Sequence, residues 1–162
     1  MLSIFTLAAA CLSAPLAQSD GLPVAEHTLK PAPIKAKQAS YARSLTIEIE
    51  VASASPLVLD YAELTSGNWQ QVPMQGSTIE PGDAMTYLAG TENTYKSLGG
   101  TVTLSLPSGA SFPVEFEWTP GSQAMCSVAD ANLQTVTVHA ELLNTMGNSP
   151  TCLVTVTDAN NG

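Results

Sequence analysis

The chain has 162 residues and a formal net charge of −9, from 5 basic and 14 acidic side chains. Hydrophobic residues make up 44% of it, which is enough for a packed core and excludes wholesale disorder. The shortage of lysine and arginine argues against nucleic acid and anionic lipid as partners, because both require cations that neutralise phosphate. Neutral lipids, glycans and proteins stay open.

The first 43 residues differ from the rest in composition. Residues 1–17 are apolar and uncharged, with a length that is typical of a signal peptide and short for a membrane span. Small residues at Ala17 and Ser19 predict a signal peptide over residues 1–19 and a secreted chain from Asp20. Residues 20–43 hold four of the five basic side chains and three prolines, which predicts a flexible arm.

From Ser44 onward, apolar and polar residues alternate in short runs that turn sequences separate. The period of two predicts strands over residues 45–51, 57–61, 85–89, 102–106, 112–118, 136–142 and 152–156. In the second run, Leu57, Leu59 and Tyr61 are expected on one buried face. Seven or more short strands predict an all-β fold, a single antiparallel β-sandwich or barrel over residues 44–158, followed by a disordered tail at 159–162.

Two cysteines remain if Cys11 leaves with the signal peptide. Cys126 and Cys152 are an even pair in a chain expected to be secreted, which favours a disulfide. The bridge would stabilise the fold by about 3 kcal/mol in the chain-entropy model. The alternative is a pair of buried, unbridged thiols.

The chain shows no motif of a known catalytic or nucleotide-binding site. His27 and His139 are far apart, and His139 lies on the polar face of its predicted strand, so we expect it to face solvent. Glu115 and Glu117 share a strand face at a spacing that suits glycosidase carboxylates, but exposed alternating residues have the same spacing. We therefore expect no enzyme, no metal site and no cofactor.

Aromatic residues are the candidate contacts. Trp69 follows a turn sequence and precedes two glutamines, so it is either an exposed contact for lipid or sugar, or a packed lid. Trp118 shares a strand face with Phe112 and Phe116, which favours a core position. Tyr61, Tyr87 and Tyr95 are further candidates for the same surface.

The order of these segments resembles that of the aegerolysins, small acidic β-sandwich proteins with an actinoporin-like architecture. The similarity covers residues 44 to 158, and its motifs are Ser66-Gly67-Asn68-Trp69, Ile79-Glu80-Pro81-Gly82-Asp83, Tyr87-Leu88-Ala89-Gly90, Gly99-Gly100-Thr101-Val102 and Phe116-Glu117-Trp118-Thr119-Pro120. Order and spacing carry the resemblance, because each motif alone is weak.

The resemblance implies a protein that binds membrane lipids, often sphingolipids, on neutral and sterol-containing membranes. Some aegerolysins are the targeting half of a two-component cytolysin and act with a perforin-like partner. Trp69, Trp118 and Tyr87 would then be the lipid contacts. The alternative is a secreted β-sandwich effector, or a module that binds carbohydrate or protein, because exposed Trp and Tyr also stack on sugars.

Overall fold

The computed structural model describes residues 40–129 and 133–159, and these form ten β-strands. The predicted signal peptide, the predicted arm up to residue 39 and tail residues 160–162 lie outside the described residues. The strands are β1 (Arg43–Val51), β2 (Leu57–Ser66), β3 (Asn68–Trp69), β4 (Thr78–Ile79), β5 (Ala84–Thr91), β6 (Leu98–Ser105), β7 (Ser111–Trp118), β8 (Met125–Val128), β9 (Val136–Leu143) and β10 (Thr151–Asp158). Within these ranges, no helix has the length and hydrophobicity to cross a bilayer.

The strands form two five-stranded sheets. The first sheet has the order β3-β5-β1-β10-β9 and the second has the order β4-β2-β6-β7-β8. Every neighbouring pair is antiparallel except β1 and β10, which run parallel from Thr46↔Thr151 to Val51↔Val156. The predicted all-β sandwich is confirmed, and the parallel pair joins the first strand to the last in the middle of the first sheet.

The core lies between the sheets, where the alternating apolar residues meet. Leu45, Ile47 and Ile49 of β1 are fully buried, and Phe112 and Val114 of β7 are buried in the facing sheet. A strand with one buried face requires this period of two, which is why the sequence pattern located the long strands.

Strand β2 departs from the predicted pattern because of a β-bulge. The pairing with β6 shifts register between Leu59 and Tyr61, and Asp60 accepts a hydrogen bond from the Ser105 hydroxyl at 2.7 Å. An extra residue reverses the faces of the strand beyond it. The prediction that Tyr61 shares the buried face of Leu57 and Leu59 is therefore wrong, and Tyr61 is 50% exposed.

Three short strands were not predicted from the sequence. β3 and β4 have two residues each and β8 has four, so none is long enough to show an alternation. All three lie at sheet edges: β3 and β4 at one edge of the sandwich and β8 at the edge of the second sheet that is farthest from β4.

The predicted disulfide between Cys126 and Cys152 is present. Cys126 belongs to the edge strand β8, and Cys152 is a fully buried residue of β10 in the other sheet. The bridge therefore links the two sheets on the side that lies away from β3 and β4. Such bridges are typical of proteins from oxidising compartments.

Candidate functional site

The segment of residues 70–77 connects β3 of the first sheet to β4 of the second, and we call it the cleft loop. Its first residue is held by a hydrogen bond from the Gln70 amide to the Leu88 carbonyl at 2.8 Å. Its other end is held at Leu59, whose carbonyl accepts from the Gly76 amide and whose amide donates to the Ser77 carbonyl. The loop is thus fixed at both ends, and its middle projects from the sandwich edge.

An open cleft of about 880 Å³ lies beside this loop. It is lined by residues 70–74 and Ser77 of the cleft loop, residues 85–88 of β5 and Thr46 of β1. None of these side chains is charged, in a chain with 14 acidic residues. The cleft therefore presents amide, hydroxyl, thioether and apolar groups to whatever enters it.

The middle of the cleft loop exposes a run of apolar residues. Val72 is 73% exposed and Met74 is 76% exposed, with Pro73 between them. Sequence reasoning missed this run because three apolar residues in a loop show no strand or helix period. Their position between Gln71 and Gln75 could have indicated exposure, because apolar residues in a polar loop are not part of a predicted core strand.

Tyr87 and Trp69, two of the three residues predicted to contact lipid, lie together beside the cleft. The rings of Trp69 and Tyr87 meet edge to face at 6.4 Å between centroids, and Trp69 meets Phe116 in the same way at 6.0 Å. Trp69 is partly buried and packs against the core, which favours the packed lid over the exposed contact for this residue. Its contact with Phe116 spans the two sheets at the edge formed by β3.

Tyr87 lines the cleft although only 8% of the residue is exposed. Its hydroxyl contacts the Met85 sulfur at 2.7 Å. Burial raises the pKa of the Tyr87 phenol, and the nearby Ser77 hydroxyl partly offsets this rise. The phenol is therefore neutral at physiological pH and adds a polar but uncharged group to the cleft.

Trp118, the third predicted contact, is buried with 8% of its surface exposed. Its indole nitrogen donates a hydrogen bond to the Ser122 carbonyl at 3.1 Å. The guanidinium of Arg43 lies over its ring, 3.9 Å from the centroid. Trp118 is thus engaged with Arg43 and the turn that follows β7, and not with Trp69 and Tyr87.

Arg43 is 4% exposed and faces the core side of β1, in phase with Leu45. Its Nη1 donates to the carbonyls of Thr94 and Lys96 at 3.1 and 3.3 Å, and its Nη2 donates to those of Trp118 and Thr119 at 3.4 and 3.3 Å. Burial lowers the pKa of this guanidinium, which still stays protonated at neutral pH. Arg43 therefore ties together the two loops that follow β5 and β7.

A second pocket, of about 530 Å³, lies beside Asn68 of β3, and we call it the polar pocket. It is lined by Gly67, Asn68, Thr91, Glu92, Asn93 and Lys96. Gly67 has a φ of +95°, and a Cβ at this position would meet the Leu98 side chain at 2.5 Å, so the turn between β2 and β3 requires glycine.

Of the other residues weighed for chemistry, His27 lies outside the described residues, and the described ones face solvent. His139 is exposed, as predicted, and so are Glu115 and Glu117 on the outer face of β7. In residues 40–129 and 133–159, no three histidine, cysteine or acidic side chains come close enough to hold a metal ion.

Comparison with known proteins shows a similarity in fold. No family model matches the sequence, and no curated protein is significantly similar to it. Among solved structures, IP-1A from Alcaligenes faecalis aligns with a TM-score of 0.57 and 18% identity, covering 78% of this chain and 99% of that one. The lipid binding protein Nakanori aligns with a TM-score of 0.57 and 10% identity, covering 72% of each chain. The chain therefore shares the β-sandwich fold of these two proteins.

Proposed function

We propose that this chain is a secreted, aegerolysin-like protein that binds neutral, sphingolipid-containing membranes through the cleft and the cleft loop. The observation that carries the proposal is the exposure of Val72 and Met74, on either side of Pro73, beside an uncharged cleft in an otherwise acidic molecule. A protein of the same fold, Nakanori, is described as lipid binding. The sequence resemblance to aegerolysins points in the same direction.

Apolar insertion supplies the binding energy in this proposal. Transfer of the Val72 and Met74 side chains from water into the lipid interface contributes about 1.5–3 kcal/mol each. Trp69 and Tyr87 pack edge to face on each other and against the core, beside the cleft. Acidic side chains oppose anionic lipid, so the favoured surface is a neutral one.

The finer parts of the proposal come from the resemblance. Sphingolipid with sterol is the proposed lipid composition, and a perforin-like protein is the proposed partner in a two-component cytolysin. The proposed activity is membrane recognition, without catalysis. The disulfide and the apolar N-terminal sequence support secretion.

The test is co-sedimentation with vesicles of phosphatidylcholine, with and without sphingomyelin and cholesterol. We expect Val72→Glu and Met74→Glu each to lower the affinity at least about ten-fold, because each replaces an inserting apolar group by a charge. Met125→Glu is the matched control, since Met125 is 65% exposed but lies on β8, across the second sheet from β4.

Three outcomes separate the alternatives. Loss of binding in the two loop variants, with wild-type binding in Met125→Glu, supports the proposal. Equal binding by all variants removes the cleft loop from the contact surface. If the wild-type chain binds no vesicle, the lipid proposal fails and a glycan array with the same variants tests the carbohydrate-binding alternative.

A further inference from the structure

The two sheets end in four edge strands, and three of these are short. β3 and β4 have two residues each and β8 has four, whereas β9 has eight. Within residues 40–129 and 133–159, no strand pairs with the side of β9 that faces away from β10. We call this side the free edge. An unpaired edge of such length is a template for another chain, because its amide and carbonyl groups can extend the sheet.

β9 has none of the features with which proteins usually block an edge strand. Its sequence, VTVHAELL, contains no lysine and no proline. Its register with β10 runs without a bulge from Val136↔Asp158 to Leu143↔Thr151. Lysine, proline and bulges are the common devices that prevent pairing at an edge. β9 is therefore a regular strand that is able to pair on both sides.

The hydrogen-bond pattern shows which residues of β9 present their backbone to the free edge. The Ala159 amide donates to the Thr135 carbonyl at 3.0 Å, which continues the β9–β10 ladder by one residue pair. In an antiparallel ladder, hydrogen-bonded pairs alternate with pairs that are not hydrogen-bonded. The odd-numbered residues of β9 therefore bond to β10, and the amides and carbonyls of Val138, Ala140 and Leu142 point to the free edge.

The same three residues leave apolar surface at this edge. Val138, Ala140 and Leu142 face the core but are only partly buried. Val154 and Val156, which pair with two of them from β10, are fully buried. A further strand at the free edge would cover this surface and extend the core across the new pair, which is favourable because apolar area leaves water.

The outer face of β9 indicates which strand fits there. His139 and Glu141 are exposed, and within the chain they lie opposite Thr155 and Leu153 of β10, neither of which is charged. When two β9 strands pair antiparallel with their centre at Ala140, His139 of each copy lies directly opposite Glu141 of the other. Imidazole and carboxylate are a favourable cross-strand pair, and this pair occurs twice in the two-fold arrangement.

Only this register satisfies both the backbone and the side chains. The hydrogen bonds of the free edge join even-numbered residues, so the register changes in steps of two residues. One neighbouring register places His139 opposite His139, and the other places Glu141 opposite Glu141, which is repulsive. In the register centred on Ala140, Val138 opposes Leu142 on the core side, and about six backbone hydrogen bonds join the two strands.

We infer that the free edge of β9 binds the β9 strand of a second copy of this chain and forms a symmetric dimer with one continuous sheet of ten strands. A two-fold interface must be self-complementary, and the pairing of His139 with Glu141 meets that requirement. The inference does not depend on lipid binding, because β9 and β3 are opposite edges of the first sheet and the cleft loop follows β3.

Sedimentation velocity of the full chain tests the dimer, over about 1 to 300 µM and at about 150 mM salt, which screens the repulsion between two acidic chains. His139→Glu places two carboxylates opposite each other, and Glu141→His places two imidazoles opposite each other. We expect each change to raise the dissociation constant of the dimer about ten-fold, and the double variant to return it to within about three-fold of wild type. Glu115→His, on the exposed face of β7, is the matched control for net charge.

The pattern across these variants decides the outcome. Weakening by both single changes with recovery in the double variant supports the inference. A chain that stays monomeric over the whole range overturns it. A dimer that none of the changes weakens, or that the double variant fails to restore, overturns the pairing through β9 in this register.

A proline variant separates the free edge from the fold itself. Proline at position 140 lacks an amide that points to the free edge, so it removes hydrogen bonds of the dimer and none of the β9–β10 ladder. We expect Ala140→Pro to keep the circular dichroism spectrum of the wild type, to be monomeric and to retain vesicle binding. His139→Pro is the matched control, because it removes a bond to β10 and should lower the thermal midpoint. A folded Ala140→Pro chain that still forms the dimer overturns the inference.

Discussion

Arg43 occupies a core-facing position of β1, on the same face as Leu45 and Ile47, although it is a charged residue. Its long side chain runs to the end of the sandwich and satisfies carbonyls of two loops at once. Arginine suits this task because its planar fork of donors reaches several acceptors, whereas the lysine ammonium is a compact point charge. The residue therefore organises the end of the molecule that carries the polar pocket.

Replacement of this arginine tests that role. Arg43→Met keeps much of the side-chain volume but removes the stacking on Trp118 and all the donors, so we expect the free energy of unfolding to fall by about 2–4 kcal/mol. Arg43→Lys retains the charge and should recover only part of the loss. Urea denaturation measures both. A wild-type midpoint for Arg43→Met would show that water satisfies these carbonyls equally well.

At this scale, the sequence predicted the exposure of residues only where the strand period was intact. His139 is exposed as its alternation predicts, but Tyr61 is turned outward by the bulge at Asp60. Composition predicts a flexible arm that includes Arg43, whereas the structure places Arg43 at the start of β1. Arg43 lies two residues before Leu45, a spacing that predicts the same buried face. Only the positions of Trp118 and the loop carbonyls explain how its charge is tolerated there.

Among the elements, the long strands were predictable and the short ones were not. β1, β7 and β10 each bury every second residue, and that pattern is visible in one sequence. β3 and β4 exist because neighbouring strands pair with them, which no local pattern reveals. The cleft lies beside these two short strands, which are the edge strands of the two sheets. The site therefore depends on elements that have no recognisable pattern in the sequence.

The disulfide acts on one element, the edge strand β8. This strand pairs with β7 over four residues and is joined to β10 of the other sheet through Cys126 and Cys152. A short edge strand with few partners frays easily, and the bridge limits that fraying.

Removal of the bridge should loosen β8 and leave the cleft intact. In Cys126→Ala combined with Cys152→Ala, we expect the free energy of unfolding to fall by about 3 kcal/mol, because the closed loop of the unfolded chain is released. Hydrogen exchange of the β8 amides should accelerate most, while β1 and β5 stay protected. Vesicle binding should persist, since the cleft is at the opposite edge. Unchanged exchange in β8 would contradict this account.

The whole molecule combines an acidic body with an uncharged cleft. Fourteen acidic residues against five basic ones repel anionic surfaces, and the cleft contributes no charge of its own. Composition alone predicted the preference for neutral partners. It did not predict where the contact lies, because the apolar residues of the cleft loop count the same in a composition as those of the core.

The measurement that tests this account most directly is vesicle binding as a function of anionic lipid content. Co-sedimentation is measured with phosphatidylcholine–sphingomyelin vesicles in which phosphatidylserine replaces a rising share of the phosphatidylcholine. The account predicts the tightest binding on wholly neutral vesicles and a steady loss as phosphatidylserine is added, because the acidic body is repelled. Binding that is absent on neutral vesicles and increases with phosphatidylserine would contradict it.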